Sequence, residues 1–172
     1  LFNGTGARVS VPDADLLDGG SAMTVTAWAK VNAFTMDWQP LVTKGDPSWR
    51  LHRYSNTNFV SFGTNTPGFN ALVSSVSIND GQWHHIAGVC TGTRKLLYID
   101  GVLNAQADVS GSIAANAFPV MIGGNAEYPA RAWNGGLDEV AYFRSALSAD
   151  SVRDLYATAI GAALTFSGTV SV

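Results

Sequence analysis

Through most of the chain, apolar and polar residues follow a period of two, the signature of strands that place one face on a core. The clearest stretch is residues 80–102, DGQWHHIAGVCTGTRKLLYIDGV. Gln82 to Val89 alternates large and small side chains, Thr91-Gly92-Thr93 interrupts the pattern, and Leu96 to Ile99 resumes it before Asp100-Gly101 stops the run. This predicts a β-hairpin with turn residues in the middle and at both ends. The hairpin is expected at the centre of an antiparallel sheet, with Trp83, placed directly after a turn, fixing its strand to the core.

The remaining segments read as strands added around it. Ala7 to Val11 is a short strand ended by Pro12, and residues 12–20 form a loop rich in Asp and Gly. Met23 to Val31 alternates as a half-buried strand with Trp28 in the core, and Asn32 to Pro40 is a loop. Leu41 to Lys44 is a strand closed by the turn signal Gly45-Asp46-Pro47. Trp49 to Tyr54 follows, with Trp49, Leu51 and Arg53 on one face and Arg50, His52 and Tyr54 on the other. Phe59 to Phe62 and Ala71 to Ile78 are strands flanking a polar loop that contains Pro67-Gly68. Val102 to Ile113 holds only short extended pieces, whereas Val120 to Gly123 and Leu137 to Phe143 are strands on either side of a loop over Asn125 to Trp133.

One helix is predicted: Ser148 stands at its N-cap, Asp150 in its first turn, and Val152, Leu155 and Tyr156 recur at three-and-four spacing up to about Thr158. About a dozen short strands and one short C-terminal helix indicate an all-β, two-sheet antiparallel sandwich over residues 1–158. Residues 159–172 are a tail, either a closing strand or a linker.

Composition narrows the functional classes. A chain of 172 residues with 47% hydrophobic content supports one core. A net charge of −3 and a pI near 5.4 provide no basic field, so a nucleic-acid partner is not expected. No apolar run reaches membrane-span length, so no membrane insertion is expected. Cys90 is the single cysteine, read as a small buried apolar residue rather than a reactive thiol. The opening Leu1-Phe2-Asn3-Gly4 reads as a chain already inside a strand, which suggests a module of a longer secreted protein whose other domains are its partners.

Catalytic chemistry is not predicted. His84 and His85 are adjacent on a strand, face opposite ways and cannot share an ion. Glu127 and Glu139 are the only glutamates, and Asp138-Glu139, adjacent on a strand, are expected to point to opposite faces and not to act on one substrate. A hydrolase reading would require two carboxylates, such as Asp46 and Glu127, to converge. Sugar binding needs an aromatic face for the pyranose ring and planar polar groups for paired hydrogen bonds. Three stretches supply these: Arg50, His52 and Tyr54 on one strand face, Trp38 in the loop before it, and Tyr128 with Arg131 in the late loop. The competing reading makes Arg50 and His52 merely a solvated outer sheet face.

Phe2-Asn3-Gly4, Thr24-Val25-Thr26-Ala27-Trp28, Lys44-Gly45-Asp46, Gly81-Gln82-Trp83-His84-His85-Ile86-Ala87, Leu97-Tyr98-Ile99-Asp100-Gly101, Trp133-Asn134-Gly135, Leu137-Asp138-Glu139-Val140 and Arg144-Ser145-Ala146-Leu147-Ser148 occur in that order. Together they resemble the laminin-G-like jelly-roll domains of the concanavalin A-like lectin and glucanase superfamily. The resemblance implies a jelly roll of two curved sheets and an appended, non-catalytic module of a secreted, extracellular protein. It implies Trp28, Trp49, Trp83 and Trp133 in the core, leaving Trp38 as the tryptophan near water. It also implies a structural calcium ion with Asn3 and Asp138 as side-chain ligands, completed by carbonyls; the alternative is that Asp138 caps a turn or pairs with an arginine. The spaced acidic pair of the family's glucanases is missing. The expected function is binding of a glycan or polysaccharide on behalf of a larger secreted protein; the alternative is a protein-adhesion or structural spacer domain.

Overall fold

A computed structural model describes residues 1–66 and 71–161. The expected loop through Pro67-Gly68 and the expected closing strand or linker beyond residue 161 lie outside the described residues. In chain order the strands are β1 (Phe2–Asn3), β2 (Val9–Val11), β3 (Met23–Val31), β4 (Pro40–Thr43), β5 (Trp49–Arg53) and β6 (Phe59–Thr64). They continue as β7 (Ala71–Ser77), β8 (Trp83–Cys90), β9 (Arg94–Ile99), β10 (Val102–Asp108), β11 (Val120–Ile122) and β12 (Asn134–Phe143), followed by helix α1 (Ala149–Ala159). They form two six-stranded antiparallel sheets, β1-β12-β3-β8-β9-β10 and β2-β11-β4-β5-β6-β7, consistent with a jelly-roll sandwich. The hairpin β8–β9 lies inside the first sheet, Ile86 opposite Ile99 and Val89 opposite Leu96.

The period of two sets which side chains meet between the sheets. Met23, Val25, Ala27, Ala29 and Val31 of β3 join Trp49 and Leu51 of β5 and Val60 and Phe62 of β6 in one core. Trp49 is fully buried, stacks on Tyr142 of β12 at 5.2 Å and donates its indole N–H to the Leu17 carbonyl at 2.9 Å. It therefore ties both sheets to the loop of residues 12–20. Lys44, also fully buried, places its ammonium against Asp13, 3.4 Å from Asp18, and donates to the carbonyls of Asn116 and Phe118 at 3.1 and 3.0 Å.

The opposite face of the first sheet carries Thr24, Thr26, Trp28 and Lys30 of β3 beside Trp83, His85, Ala87 and Val89 of β8. Helix α1 covers part of this face. The Ser148 hydroxyl accepts the Ser151 N–H at 3.1 Å, as its N-cap position predicts. Val152 packs with Ala87, Val89 and Tyr98, and Tyr156 stacks on Trp28 at 5.7 Å. No helix among the described residues is long and apolar enough to cross a membrane.

Three expectations are corrected here. Trp83 is not a core residue: it is 43% exposed, because the inward parity of β8 belongs to Ile86 and Cys90 and leaves Trp83 on the outer face with His85. Residues 102–108 are one continuous strand, paired with β9 at the sheet edge. None of its residues is fully buried, which is why its apolar alternation is weak. In β12, a β-bulge between Asp138 and Ala141 inserts an extra residue, and Glu139 adopts a left-handed φ of 45°. The alternation that would send Asp138 and Glu139 to opposite faces is thereby broken.

Candidate functional site

The candidate site is assembled on the outer face of β5 by two loops. Arg50 and His52 point away from Trp49 and Leu51, as expected, but neither is solvated: Arg50 is 8% exposed and His52 2%. The Arg50 guanidinium lies over Gly63 of β6, where an added Cβ would stand 2.8 Å from Cζ. His52 Nε2 is 2.9 Å from the Ser61 hydroxyl. Burial, followed by the positive charges of Arg50 and Arg131, pushes the His52 pKa well below its ordinary value, so the imidazole is neutral.

The first loop, residues 32–40, is built on the buried side chain of Gln39. Its amide oxygen accepts the Thr35 N–H at 2.9 Å and its amide nitrogen donates to the Ala33 carbonyl at 3.1 Å. Arg53 holds the loop from below, donating to the Met36 carbonyl at 2.7 Å with its guanidinium 4.6 Å from the Phe34 ring centroid. The result fixes Trp38, at a left-handed φ of 57°, with its ring stacked on His52 at 5.4 Å and edge-on to Tyr54 at 5.2 Å. Trp38 is half-buried and reaches water, as expected, but it shares that exposure with Trp83.

The second loop, residues 125–131, turns on Asp46. Its carboxylate accepts from Asn125 Nδ2 at 2.7 Å and from Arg131 at 3.1 Å, while its own N–H donates to the Glu127 carboxylate at 2.9 Å. Asn125 Oδ1 accepts the backbone N–H of Glu127 at 2.9 Å, so the loop is held at both ends. The Arg131 guanidinium lies 4.0 Å from the centroid of the Tyr128 ring, and Tyr128 is 43% exposed. Arg50 is bound into the same cluster, donating to the Asp46 carbonyl. Burial lowers its pKa, opposed by Asp46 and reinforced by Arg131.

All six expected binding residues are thus brought to one surface. Trp38, Tyr54, Tyr128 and Arg131 form its accessible part, and Arg50 and His52 lie beneath. Asp46 and Glu127 also meet, but through hydrogen bonds that hold the turn and the loop. Sequence reasoning missed the organising roles of Asp46, Asn125 and Gln39, because each acts through contacts that are remote in sequence or made by backbone groups.

The expected calcium ligands do not converge. Asn3 pairs with Asn134, whereas Asp138 is four residues further along β12 and opposite Trp28, a separation of roughly 13 Å at strand rise. Asn3 Oδ1 accepts the N–H groups of Thr5 and Ala7, and Asp138 Oδ1 accepts that of Glu139. These donors do not fit one coordination shell.

His84 bonds to Asp100 at 2.8 Å and to Asp80 at 3.1 Å. Burial draws its pKa down, but the two carboxylates outweigh it and leave the pKa raised. His85 lies under α1 with its ring 5.5 Å from Trp28, and burial pushes its pKa down to about 4. The two imidazoles face opposite ways, as the sequence predicts.

The two packed antiparallel sheets with loops gathered over one face define a lectin-like jelly-roll domain. The chain belongs to the concanavalin A-like lectin/glucanases superfamily, which matches residues 3–153. No curated protein sequence matches the chain. Among solved structures it is similar to domain 4 of an extracellular arabinanase from Geobacillus stearothermophilus, in complex with arabinotriose, at 21% identity and TM-score 0.69, covering 90% of this chain and 74% of that one. It is also similar to the binding domain of Paraclostridial Mosquitocidal Protein 1, at 16% identity and TM-score 0.70, covering 88% and 41%. A third is the binding domain of Botulinum Neurotoxin DC in complex with SialylT, at 14% identity and TM-score 0.64, covering 88% and 39%. The chain spans less than half the length of the two toxin structures, and at these identities the likeness is one of fold.

Proposed function

We propose that this chain is a non-catalytic carbohydrate-binding module of a larger secreted protein, recognising a glycan or polysaccharide on the surface formed by Trp38, Tyr54, Tyr128 and Arg131. The observation that carries the reading is the pre-organisation of that surface. Two loops use part-buried hydrogen bonds to hold an exposed aromatic ring, an arginine and a Trp–Tyr pair over one sheet face. A rigid aromatic surface accepts the apolar face of a sugar ring without ordering cost, and the guanidinium offers parallel donors to hydroxyl oxygens. Arg50 and His52 support the surface from below and do not touch ligand. The arabinotriose complex of the similarly folded arabinanase domain supports the ligand class. Asp46 and Glu127 spend acceptors on structural N–H groups, which argues for a positioning role rather than proton transfer.

Screening on a glycan array, followed by calorimetry with the best oligosaccharide, tests the reading. Tyr128→Ala and Trp38→Ala are each expected to weaken binding about tenfold or more while leaving the fold intact. Binding that survives both substitutions, or no binding to any glycan by the folded wild type, overturns it and leaves the adhesion or spacer role.

A further inference from the structure

A second site lies on the other sheet, independent of the surface above. The bulge in β12 turns Asp138 and Glu139 into a common cavity of about 280 Å³ on the outer face of the first sheet. Trp28 and Trp83 form its aromatic walls, and Ala159 and Ile160 at the end of α1 line its open side. Trp83 is held there by β12: its indole rests on Gly136, where an added Cβ would come within 2.4 Å of Cη2. That packing fixes the ring while leaving it 43% exposed.

Asp138 and Glu139 are exposed at this cavity, so their carboxylates are open to a ligand. Among the described residues no Lys, Arg or His makes a salt bridge to Asp138 or Glu139, and the one hydrogen bond to either carboxylate is from the Glu139 N–H to Asp138 Oδ1, 2.8 Å. The Trp28 indole N–H, buried at the wall, has no partner either. An aromatic wall beside two unpaired carboxylates matches a ligand with an apolar ring face and a positive charge. A neutral sugar offers hydroxyl donors to the carboxylates but no counter-charge, and an acidic sugar would be repelled. The volume, near the lower end of the roughly 300–1,000 Å³ usual for ligand pockets, suits one ring rather than a chain segment.

We propose that the cavity of Trp28, Trp83, Asp138 and Glu139 binds a pyranose bearing a free ammonium group, that is, a 2-amino sugar residue without its N-acetyl group. The ring lies on Trp83 and the ammonium faces Asp138 and Glu139. With the other surface on the opposite sheet, the domain then has two saccharide sites of different charge preference.

Calorimetry of the wild-type chain with a glucosamine trimer, its N-acetylated counterpart and a glucose trimer tests this. The amino trimer is expected to bind, at least tenfold more tightly than the other two, with affinity falling as salt is raised. Trp83→Ala and the conservative pair Asp138→Asn and Glu139→Gln should each weaken it about tenfold, with melting curves confirming the fold. Trp38→Ala should leave it unchanged, so failure at the other surface is separable from failure here. Equal affinity for all three trimers, no binding of the amino trimer, or binding insensitive to Trp83→Ala and to the carboxamide pair overturns the proposal. The last outcome would mark the interaction as general attraction of a polycation to an acidic protein.

Discussion

Lys44→Met isolates one buried charge whose loss is expected to be felt both in stability and at the glycan surface. Methionine keeps most of the apolar stem, so the change removes the ammonium with little loss of volume. In the native chain that ammonium touches Asp13, lies 3.4 Å from Asp18 and donates to the carbonyls of Asn116 and Phe118, joining three segments distant in sequence. Without it, two carboxylates lose their counter-charge and two carbonyls their donor. Removing one partner of a buried ion pair costs about 3–5 kcal/mol. The Asp13 and Asp18 side chains are 38% and 22% exposed and can rehydrate in part, which puts the expectation at the low end, about 3 kcal/mol. For a chain of 172 residues, at about 2–4 °C per kcal/mol, Tm should fall by roughly 6–12 °C. Urea melts should show a lower midpoint with an unchanged slope. Adding Asp13→Asn and Asp18→Asn to Lys44→Met should restore part of the loss, because the uncompensated charge is then gone. Lys44 also precedes the Gly45-Asp46 turn that holds Arg131 and Asn125, so weaker glycan binding should appear below the melting range. A Lys44→Met protein within about 0.5 kcal/mol of wild type would refute the reasoning, since it would mean the ammonium contributes nothing net over its own desolvation.

Acid should destabilise the fold through His85. Its folded pKa of about 4 lies below the ordinary 6.5, so the unfolded chain binds the extra proton between those values and stability falls as pH drops through that window, by up to about 3 kcal/mol. His84 acts in the opposite sense: its raised pKa contributes stability below pH 6.5 that is lost as pH rises through its folded pKa, and urea melts of wild type, His85→Phe and His84→Asn from pH 4 to 8 separate the two. Gly135→Ala should cost more than about 3 kcal/mol or prevent folding, because at φ 152° its Cβ would come within 1.9 Å of the Lys30 carbonyl oxygen; a stable, native-like variant by circular dichroism would contradict this. Asn3 and Asp138 do not share a shell, so Asn3→Ala and Asp138→Asn should leave any chelator-induced change in Tm as it is in the wild type, and a change abolished by both substitutions would mean that they hold the ion.

The sequence by itself determined the strands that bury one face, the hairpin around Thr91-Gly92-Thr93, the N-cap at Ser148 and the parity that places Arg50 and His52 together on β5, with Tyr54 just beyond its end. These follow from periodicity and local turn or cap chemistry, which neighbouring residues carry among themselves. Parity alone could not say what covers a face. Whether Arg50 and His52 meet water depends on loops 32–40 and 125–131 folding over them, and Trp83 lies on the outer face because the inward parity of β8 belongs to Ile86 and Cys90. The sequence also could not foresee that Asp138 and Glu139 share a cavity, since a bulge is a mismatch between two paired strands and belongs to neither. Tertiary structure decided each of these because burial and shared orientation are properties of pairs of segments brought together from far apart in the chain.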